Sequence, residues 1–301
     1  MLEICSLDES MLPTLYESYE VIGTLLPDVA NELGLGESTV VAAGAGDNAA
    51  AAIGTATVGE GKCNISLGTS GTIFISSEHF GVDENNALHS FCHSDGNYHL
   101  MGCMLSAASC NKWFCDEVLK AEDYAALQTE ITDGMLGNND VFFLPYLMGE
   151  RSPINDTDAT GLFIGLRPNT TRADMLLAVL EGVAFAVRDN LEVAKKLGIN
   201  IAESTVCGGG AKSPLWRKIL ANVLNIELKV PSAEEGPGYG AGILAMVGCS
   251  EFASVREGAE KFINIVETVK PDEELACLYA KRYEKFSKIY PEVKNLYKAM
   301  K

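Results

Sequence analysis

Positive charge is scarce in this sequence: 23 lysines and arginines stand against 41 aspartates and glutamates, a formal net charge of −18. That balance excludes long-range attraction to nucleic acid or to an anionic membrane surface. It leaves a phosphate ligand possible, because helix N-termini and loop amides hold phosphate locally whatever the net charge. No apolar run approaches the roughly 18 residues of a membrane-crossing helix. The opening Met1-Leu2-Glu3-Ile4-Cys5-Ser6 has neither a basic cluster nor a long apolar stretch, so no secretory leader is expected there. Nine cysteines, an odd number without any C-x-x-C pair, argue against a disulfide framework or a zinc site and for the reducing cytoplasm. Internal repeats and low-complexity linkers are also missing.

What is present is an alternation of short strands and helices, with enough apolar residues, 47%, for a substantial core. Residues 27–33 form a short amphipathic piece closed by Gly34 and Gly36, and residues 39–43 are expected to be a buried strand. Gly44-Ala45-Gly46 turns the chain, and Asp47 opens an alanine-rich helix. Cys63, Ile65 and Leu67 alternate with polar residues, as do Ile73 and Ile75 beyond Gly68-Thr69-Ser70-Gly71, which predicts a hairpin. A second hairpin is expected over 88–93 and 98–105, turned at Asp95-Gly96. Residues 111–119 are expected to be helical, and the apolar run 142–144 stops at Pro145. The strongest helix pattern covers 174–197, where Leu176, Val179, Leu180, Val183, Val187, Leu191 and Ala194 recur at helical spacing. Thr171 with Asp174 caps its start and Gly198 ends it. A strand over 204–207, a turn at Gly208-Gly209-Gly210, a helix from Ser213-Pro214 and a strand over 227–230 follow. Residues 236–242 are expected to be a glycine-rich turn into a helix, and 272–297 a charged amphipathic helix. Strands in hairpins, then helix, strand, helix, strand, helix, is the element order of half an actin-like ATPase, although an unrelated α/β domain can share it.

Three segments can carry chemistry. At the tip of the first hairpin, Gly68, Thr69, Ser70 and Gly71 let backbone amides approach phosphate oxygens; an ordinary hairpin turn fits the same residues. Gly208-Gly209-Gly210-Ala211-Lys212 has more glycine than a tight turn needs and lets a flat ligand or phosphate lie at the mouth of a helix, with a packing turn as the alternative. This segment is neither the dinucleotide fingerprint nor the lysine-containing phosphate loop. Asp47, directly after a glycine turn at the end of a strand, is placed for an open cleft and for general-base work, while a helix cap, which aspartate favours for its own reasons, is the stronger reading of these residues alone. His89, His93 and His99, with Cys92 and Cys103 nearby, are expected to be structural rather than metal ligands, as Trp113 and Phe114 are expected to be core.

Taken together, these segments resemble the FGGY carbohydrate-kinase family, a branch of the actin, hexokinase and heat-shock chaperone ATPase superfamily. Gly161-Leu162-Phe163-Ile164-Gly165-Leu166, followed after seven residues by Asp174-Met175-Leu176-Leu177-Ala178-Val179-Leu180-Glu181, fits the second signature of that family at every position. Residues 66–72 are similar to its second phosphate loop, 208–216 to its adenosine segment, and Gly46-Asp47-Asn48 to the segment with its catalytic aspartate. The run 144–156, Leu-Pro-Tyr-Leu-Met-Gly-Glu-Arg-Ser-Pro-Ile-Asn-Asp, is similar to the form of this loop in the branch that phosphorylates D-xylulose; gluconate, ribulose and glycerol are the alternatives. Thr160 departs from the pattern, since many members have arginine there. A D-x-G-T loop with its following lysine is also absent from the 301 residues.

The resemblance implies an α/β fold of the actin-like ATPase (ribonuclease H-like) kind, a mixed sheet flanked by helices. It implies residues 1–55 as the end of an N-terminal sugar-binding domain, carrying the catalytic Asp47 with Asn48 on the sugar, and residues 56–301 as the ATP-binding domain. On that basis the chain is expected to be a fragment, inactive alone, whose partners are the missing domain, a small sugar and ATP, with a homodimer open. ATP and Mg2+ are the implied cofactors. Gly68, Thr69, Ser70 and Gly71 would hold the terminal phosphates, and Gly209, Gly210, Ala211, Lys212 and Pro214 would lie along the adenosine. No dedicated all-protein magnesium site is expected, since phosphates and waters supply most of its ligands. A non-catalytic nucleotide-binding or assembly module of the same fold is the reading from a different class.

Overall fold

A computed structural model describes residues 1–232 and 236–300. Its strands are β1 Val21–Thr24, β2 Val40–Ala42, β3 Cys63–Leu67, β4 Gly71–Ser77, β5 His89–Cys92, β6 Tyr98–Met104, β7 Phe142–Leu144, β8 Leu162–Ile164, β9 Glu203–Cys207, β10 Glu227–Pro231 and β11 Ile265–Val269. Its α-helices are α1 Leu2–Cys5, α2 Pro27–Leu33, α3 Asp47–Ile53, α4 Ala108–Trp113, α5 Tyr124–Gln128, α6 Arg172–Lys196, α7 Pro214–Leu224, α8 Gly236–Gly248, α9 Val255–Phe262 and α10 Glu273–Ala299. Seven strands form one mixed sheet in the order β11-β10-β9-β3-β4-β6-β5. In it β3, β9 and β10 run parallel, and the outer strands are antiparallel. Two antiparallel hairpins, joined edge to edge through β4 and β6, followed by parallel strands connected through helices form the actin-like ATPase architecture that the element order predicts.

The two predicted hairpins are β3–β4 and β5–β6, the second turned through Gly96 at a φ of +87°. Ile65, Ile73 and Ile75 are fully buried, as their alternation requires. Helix α6 is the predicted one. The Thr171 side chain accepts from the Asp174 amide and the Asp174 carboxylate accepts from the Thr171 amide, a complete capping box. Sixteen of its 25 residues are buried, so it lies in the core rather than on it. Across it, the Trp216 indole of α7 donates to the Leu180 carbonyl at 3.0 Å.

Two expectations need correction. Residues 40–42 are a half-buried strand outside the main sheet, paired with β1, because β1 itself is exposed and leaves one side of the ribbon open. The glycines at 236–242 form no turn: Gly236 already begins α8, which packs against α3. A Cβ on Gly240 would lie 1.8 Å from the Ala50 carbonyl oxygen, and one on Gly54 2.0 Å from that of Gly236. Glycine is a poor helix former, but here it lets two helix backbones touch. The alanines of α3 complete that contact, so the small residues of both helices fix where Asp47 stands.

The predicted helix at 111–119 begins at Ala108 and continues through a π-helical turn, Phe114–Val118; Phe114 is in the core and Trp113 packs on it. The histidines of the second hairpin form a buried aromatic group. His99 stacks on Phe74, with ring centroids 3.9 Å apart, and the His93 ring bonds the Thr57 carbonyl at 2.9 Å. Burial pushes His93 below the ordinary imidazole range and His99 down to about 3, with His93 adding to the effect on His99; Asp95 opposes it at His93. Unfolding returns both rings to their ordinary 6.5, so below that pH the unfolded chain binds more protons than the folded one. The contribution of these two rings is therefore expected to fall as pH drops from 6.5 toward 3, while buried carboxyls such as Glu150 and Glu181, pushed upward by burial, act in the opposite sense. The expected result is a loss of stability relative to His99→Phe, which keeps the stack. Urea denaturation between pH 7 and pH 5 checks this: parallel pH profiles for the two proteins would refute it.

Candidate active site

The parallel strands β3, β9 and β10 end side by side, and the segments that follow them build the site, the usual ligand position in an open α/β sheet. After β3, the turn runs through half-buried Gly68 to exposed Thr69 and Ser70. Its carbonyls are anchored from behind. The Ala108 amide donates to Gly68 at 2.8 Å, and the amides of Ala107 and Ser109 donate to Thr69 at 3.0 and 3.3 Å. Among the described residues no protein acceptor takes the amide hydrogens of Thr69 and Ser70. An anchored tip with exposed donors suits phosphate oxygens. Gly71 lies behind the tip, buried, where an added Cβ would come 3.2 Å from that of Ala107.

After β9, Gly208 takes a φ of +88° and leads into a 3-10 turn, Gly209–Lys212. The three glycines have different causes. A Cβ on Gly208 would meet the Leu67 carbonyl at 2.7 Å, and one on Gly210 would press on the Trp216 ring at 2.8 Å. Both are therefore glycine for packing. A Cβ on Gly209 would meet nothing within 4 Å, so neither packing nor a positive φ calls for glycine there. Gly208→Ala is accordingly expected to lose about 1–3 kcal/mol for the strained backbone alone, and Gly209→Ala to stay within about 0.5 kcal/mol of the parent. Urea denaturation of the two variants measures the contrast, and equal losses would contradict it.

The turn and the loop face one cavity of about 590 Å³, lined by Gly68, Thr69, Gly209, Gly210, Lys212 and Pro214 among others. Six of the nine residues assigned to nucleotide thus share one space. Ser70 and Gly71 are outside its lining, and buried Ala211 lines an adjoining cavity of about 650 Å³ with Gly208, Gly209 and Lys212. Ser213 caps α7, its hydroxyl accepting from the Trp216 amide at 3.1 Å and donating to Gln128 at 2.6 Å. Pro214 follows at the first helical position. The opposite wall comes from residues the motifs do not mark: Asn111 and Lys112 of α4, and Tyr124 and Gln128 of α5. Lys112 pairs with Asp116 at 2.5 Å, and Asp116 also accepts from the Tyr124 hydroxyl, which ties the two helices together.

Asp47 and Asn48 lie apart from this lining, exposed at the start of α3. Gly46 occupies the cap position and Asp47 the first helical one, so the aspartate is not the cap residue. Its carboxylate accepts from the Asn48 amide at 2.8 Å. The described residues contain no group of three or more His, Cys, Asp or Glu side chains that could hold a metal ion.

Comparison with known proteins finds relatives over nearly the whole chain. The pattern of the FGGY family of carbohydrate kinases, C-terminal domain, matches residues 63–249, and that of the N-terminal domain matches 1–54. The xylulose kinase of Escherichia coli (strain K12) is 37% identical over 295 residues, covering 97% of this chain and 60% of that protein. That of Bacillus subtilis (strain 168) is 32% identical over 303 residues, covering 99% and 61%. A solved structure described as a xyloylose kinase from Brucella ovis superposes with a TM-score of 0.91 at 36% identity, covering 98% of this chain and 60% of that one. The chain thus spans about 60% of the length of these relatives. It belongs to the FGGY family of carbohydrate kinases.

Proposed function

We propose that this chain supplies the nucleotide-binding half and the general base of an ATP-dependent kinase that phosphorylates D-xylulose to D-xylulose 5-phosphate. The observation that carries this reading is the single cavity shared by the β3–β4 turn and the Gly209–Pro214 segment. Gly68, Thr69, Ser70 and Gly71 would receive the terminal phosphates, on the free amides of the tip. Gly209, Gly210, Ala211, Lys212 and Pro214 would lie along the adenosine. The cavity fits a nucleotide: its volume falls within the range of small-molecule sites, and Gly209 leaves backbone open to a flat ligand.

Phosphoryl transfer has a loose transition state, so the protein mainly positions reactants and balances charge. Asp47 would accept the proton of the sugar hydroxyl, at the C5 oxygen of D-xylulose, with Asn48 on the same sugar. Its carboxylate is exposed and held by one backbone amide, which leaves acceptor capacity for that proton. Bound Mg2+ would offset phosphate charge; no residue of this chain is assigned to it, in keeping with an ion held largely by phosphates and waters.

The division at residue 55, the sugar domain before it and the ATP domain after it, belongs to the same proposal. Twelve large apolar side chains between Met1 and Leu35 are exposed. The part of the relatives that this chain does not span is the partner we assign to that surface, and with it the D-x-G-T loop; a homodimer is the other occupant. The free cysteines and the charge balance fit a cytoplasmic enzyme. No helix among the described residues is long and apolar enough to cross a membrane.

The test is ADP release from ATP and a panel of sugars, by this chain joined to the segment its relatives carry in addition. The expected result is turnover with D-xylulose. Turnover with gluconate, ribulose or glycerol instead would replace the sugar, and none with any sugar would favour a non-catalytic nucleotide module.

A further inference from the structure

The loop between β7 and β8 buries an acid that the proposed mechanism does not use. Glu150 is 1% exposed, and its Oε1 accepts from the amides of Leu105 at 2.7 Å and Arg151 at 2.8 Å. Glu150 and Asp156 exchange backbone bonds of 2.8 and 2.9 Å, which closes the loop on itself. The Ser152 amide donates to the Cys103 carbonyl at 2.9 Å, so the loop grips the end of β6 at two points.

Leu105 is one residue past β6. Two residues later the chain turns sharply, at Ala107 with φ −128° and ψ −97°, and enters α4. From this junction the amides of Ala107, Ala108 and Ser109 reach the carbonyls of Thr69 and Gly68. The Glu150 carboxyl therefore fixes Leu105, and the next residues fix the back of the β3–β4 turn. Tied down in this way, the turn presents its Thr69 and Ser70 amides outward.

We infer that Glu150 is a positioning residue for phosphate binding, acting through the Leu105–Ser109 junction on the Gly68–Ser70 turn. This rests on the reading of that turn as the phosphate site. Burial pushes the carboxyl up to about 7, against the opposing effect of the two amide bonds. Its Oε2, the hydroxyls of Ser106 and Ser152, and the Asn190 Oδ1 are buried without a partner among the described residues. A buried carboxyl with one oxygen unsatisfied is costly, and here it stands where the chain must turn to hold the phosphate tip.

Calorimetric titration of this chain with adenosine, ADP and ATP separates the phosphate contribution from the rest. Glu150→Ala removes the acceptor, Glu150→Asp shortens it by one methylene while keeping a carboxyl, and Glu150→Gln keeps an oxygen for both amides. Expected for Ala and Asp is a loss of roughly tenfold or more in ADP and ATP affinity, with adenosine affinity unchanged within about twofold; Gln should rescue. If Ala does not fold, the contrast of Asp with Gln decides. Equal weakening of adenosine and ADP, or none of either, would overturn the inference while leaving the nucleotide site standing. Failure of the unmutated chain to bind ADP would overturn both.

Discussion

Asp47→Asn, in a protein that carries this chain with the remainder its relatives have, is expected to lower kcat by about 10²–10⁴-fold. ATP affinity should hardly change, because Asp47 does not line the nucleotide cavity. The asparagine keeps an oxygen for the Asn48 amide at the same place, so the local bond of 2.8 Å survives. What is lost is the proton acceptor and one negative charge in the first helical turn. The charge is worth about 0.3–1 kcal/mol to the helix, too little to shift melting by more than a few degrees. Steady-state kinetics with a melting curve for the same variant decide the matter. Most of the turnover retained would make Asp47 a helix residue only.

The second large effect concerns the attachment of α10 to α6. Arg282, 7% exposed at its side chain, pairs with Glu181, 1% exposed, at 2.7 Å; the same guanidinium nitrogen donates to the Val141 carbonyl at 3.1 Å. The guanidinium also lies 4.4 Å from the centre of the Phe142 ring. Burial pushes Glu181 upward and Arg282 opposes that. Arg282→Met would leave an unpaired carboxyl in the core, and the expected loss is about 3–5 kcal/mol. Replacing both, as Glu181→Leu with Arg282→Met, should recover most of it, because an apolar pair leaves no orphaned charge. Urea denaturation of the single and double variants measures both. A single-variant loss below about 1 kcal/mol, or no recovery in the double, would show that the pair does not act in this way.

The contrast between α6 and α8 shows what the sequence could and could not reveal. Helix α6 was legible because its apolar period, its Thr171–Asp174 cap and Gly198 beyond its end agree locally. The first turns of α8 were not, because glycine disfavours helix by about 1 kcal/mol per residue, and only contact with α3 explains Gly236 and Gly240. Edge strand β11 is largely exposed and carries no alternating core face to mark it. In the site, the glycine segments stood out by composition, and the structure separates packing at Gly208 and Gly210 from open space at Gly209. Tyr124, Gln128 and Lys112 enter the cavity wall through tertiary placement of short helices. The nearest local signal was Asp123, which caps α5 by accepting from the amides of Ala125 and Ala126. Glu150 was visible only as part of a family-like loop; its burial and its bond to Leu105 depend on β6 lying beside it.

The measurement that bears most directly on the account is titration calorimetry of this chain with ATP and magnesium, run in parallel on Gly209→Val. The cavity between the β3–β4 turn and the Gly209–Pro214 segment predicts one nucleotide per chain, and without a D-x-G-T loop the affinity is expected to be no better than the high micromolar range, on the scale where about 1.4 kcal/mol is tenfold. The valine variant, whose side chain enters the space now open at Gly209, should bind at least roughly tenfold more weakly while melting at nearly the same temperature. No binding at millimolar nucleotide, or equal binding by the two proteins, would contradict it.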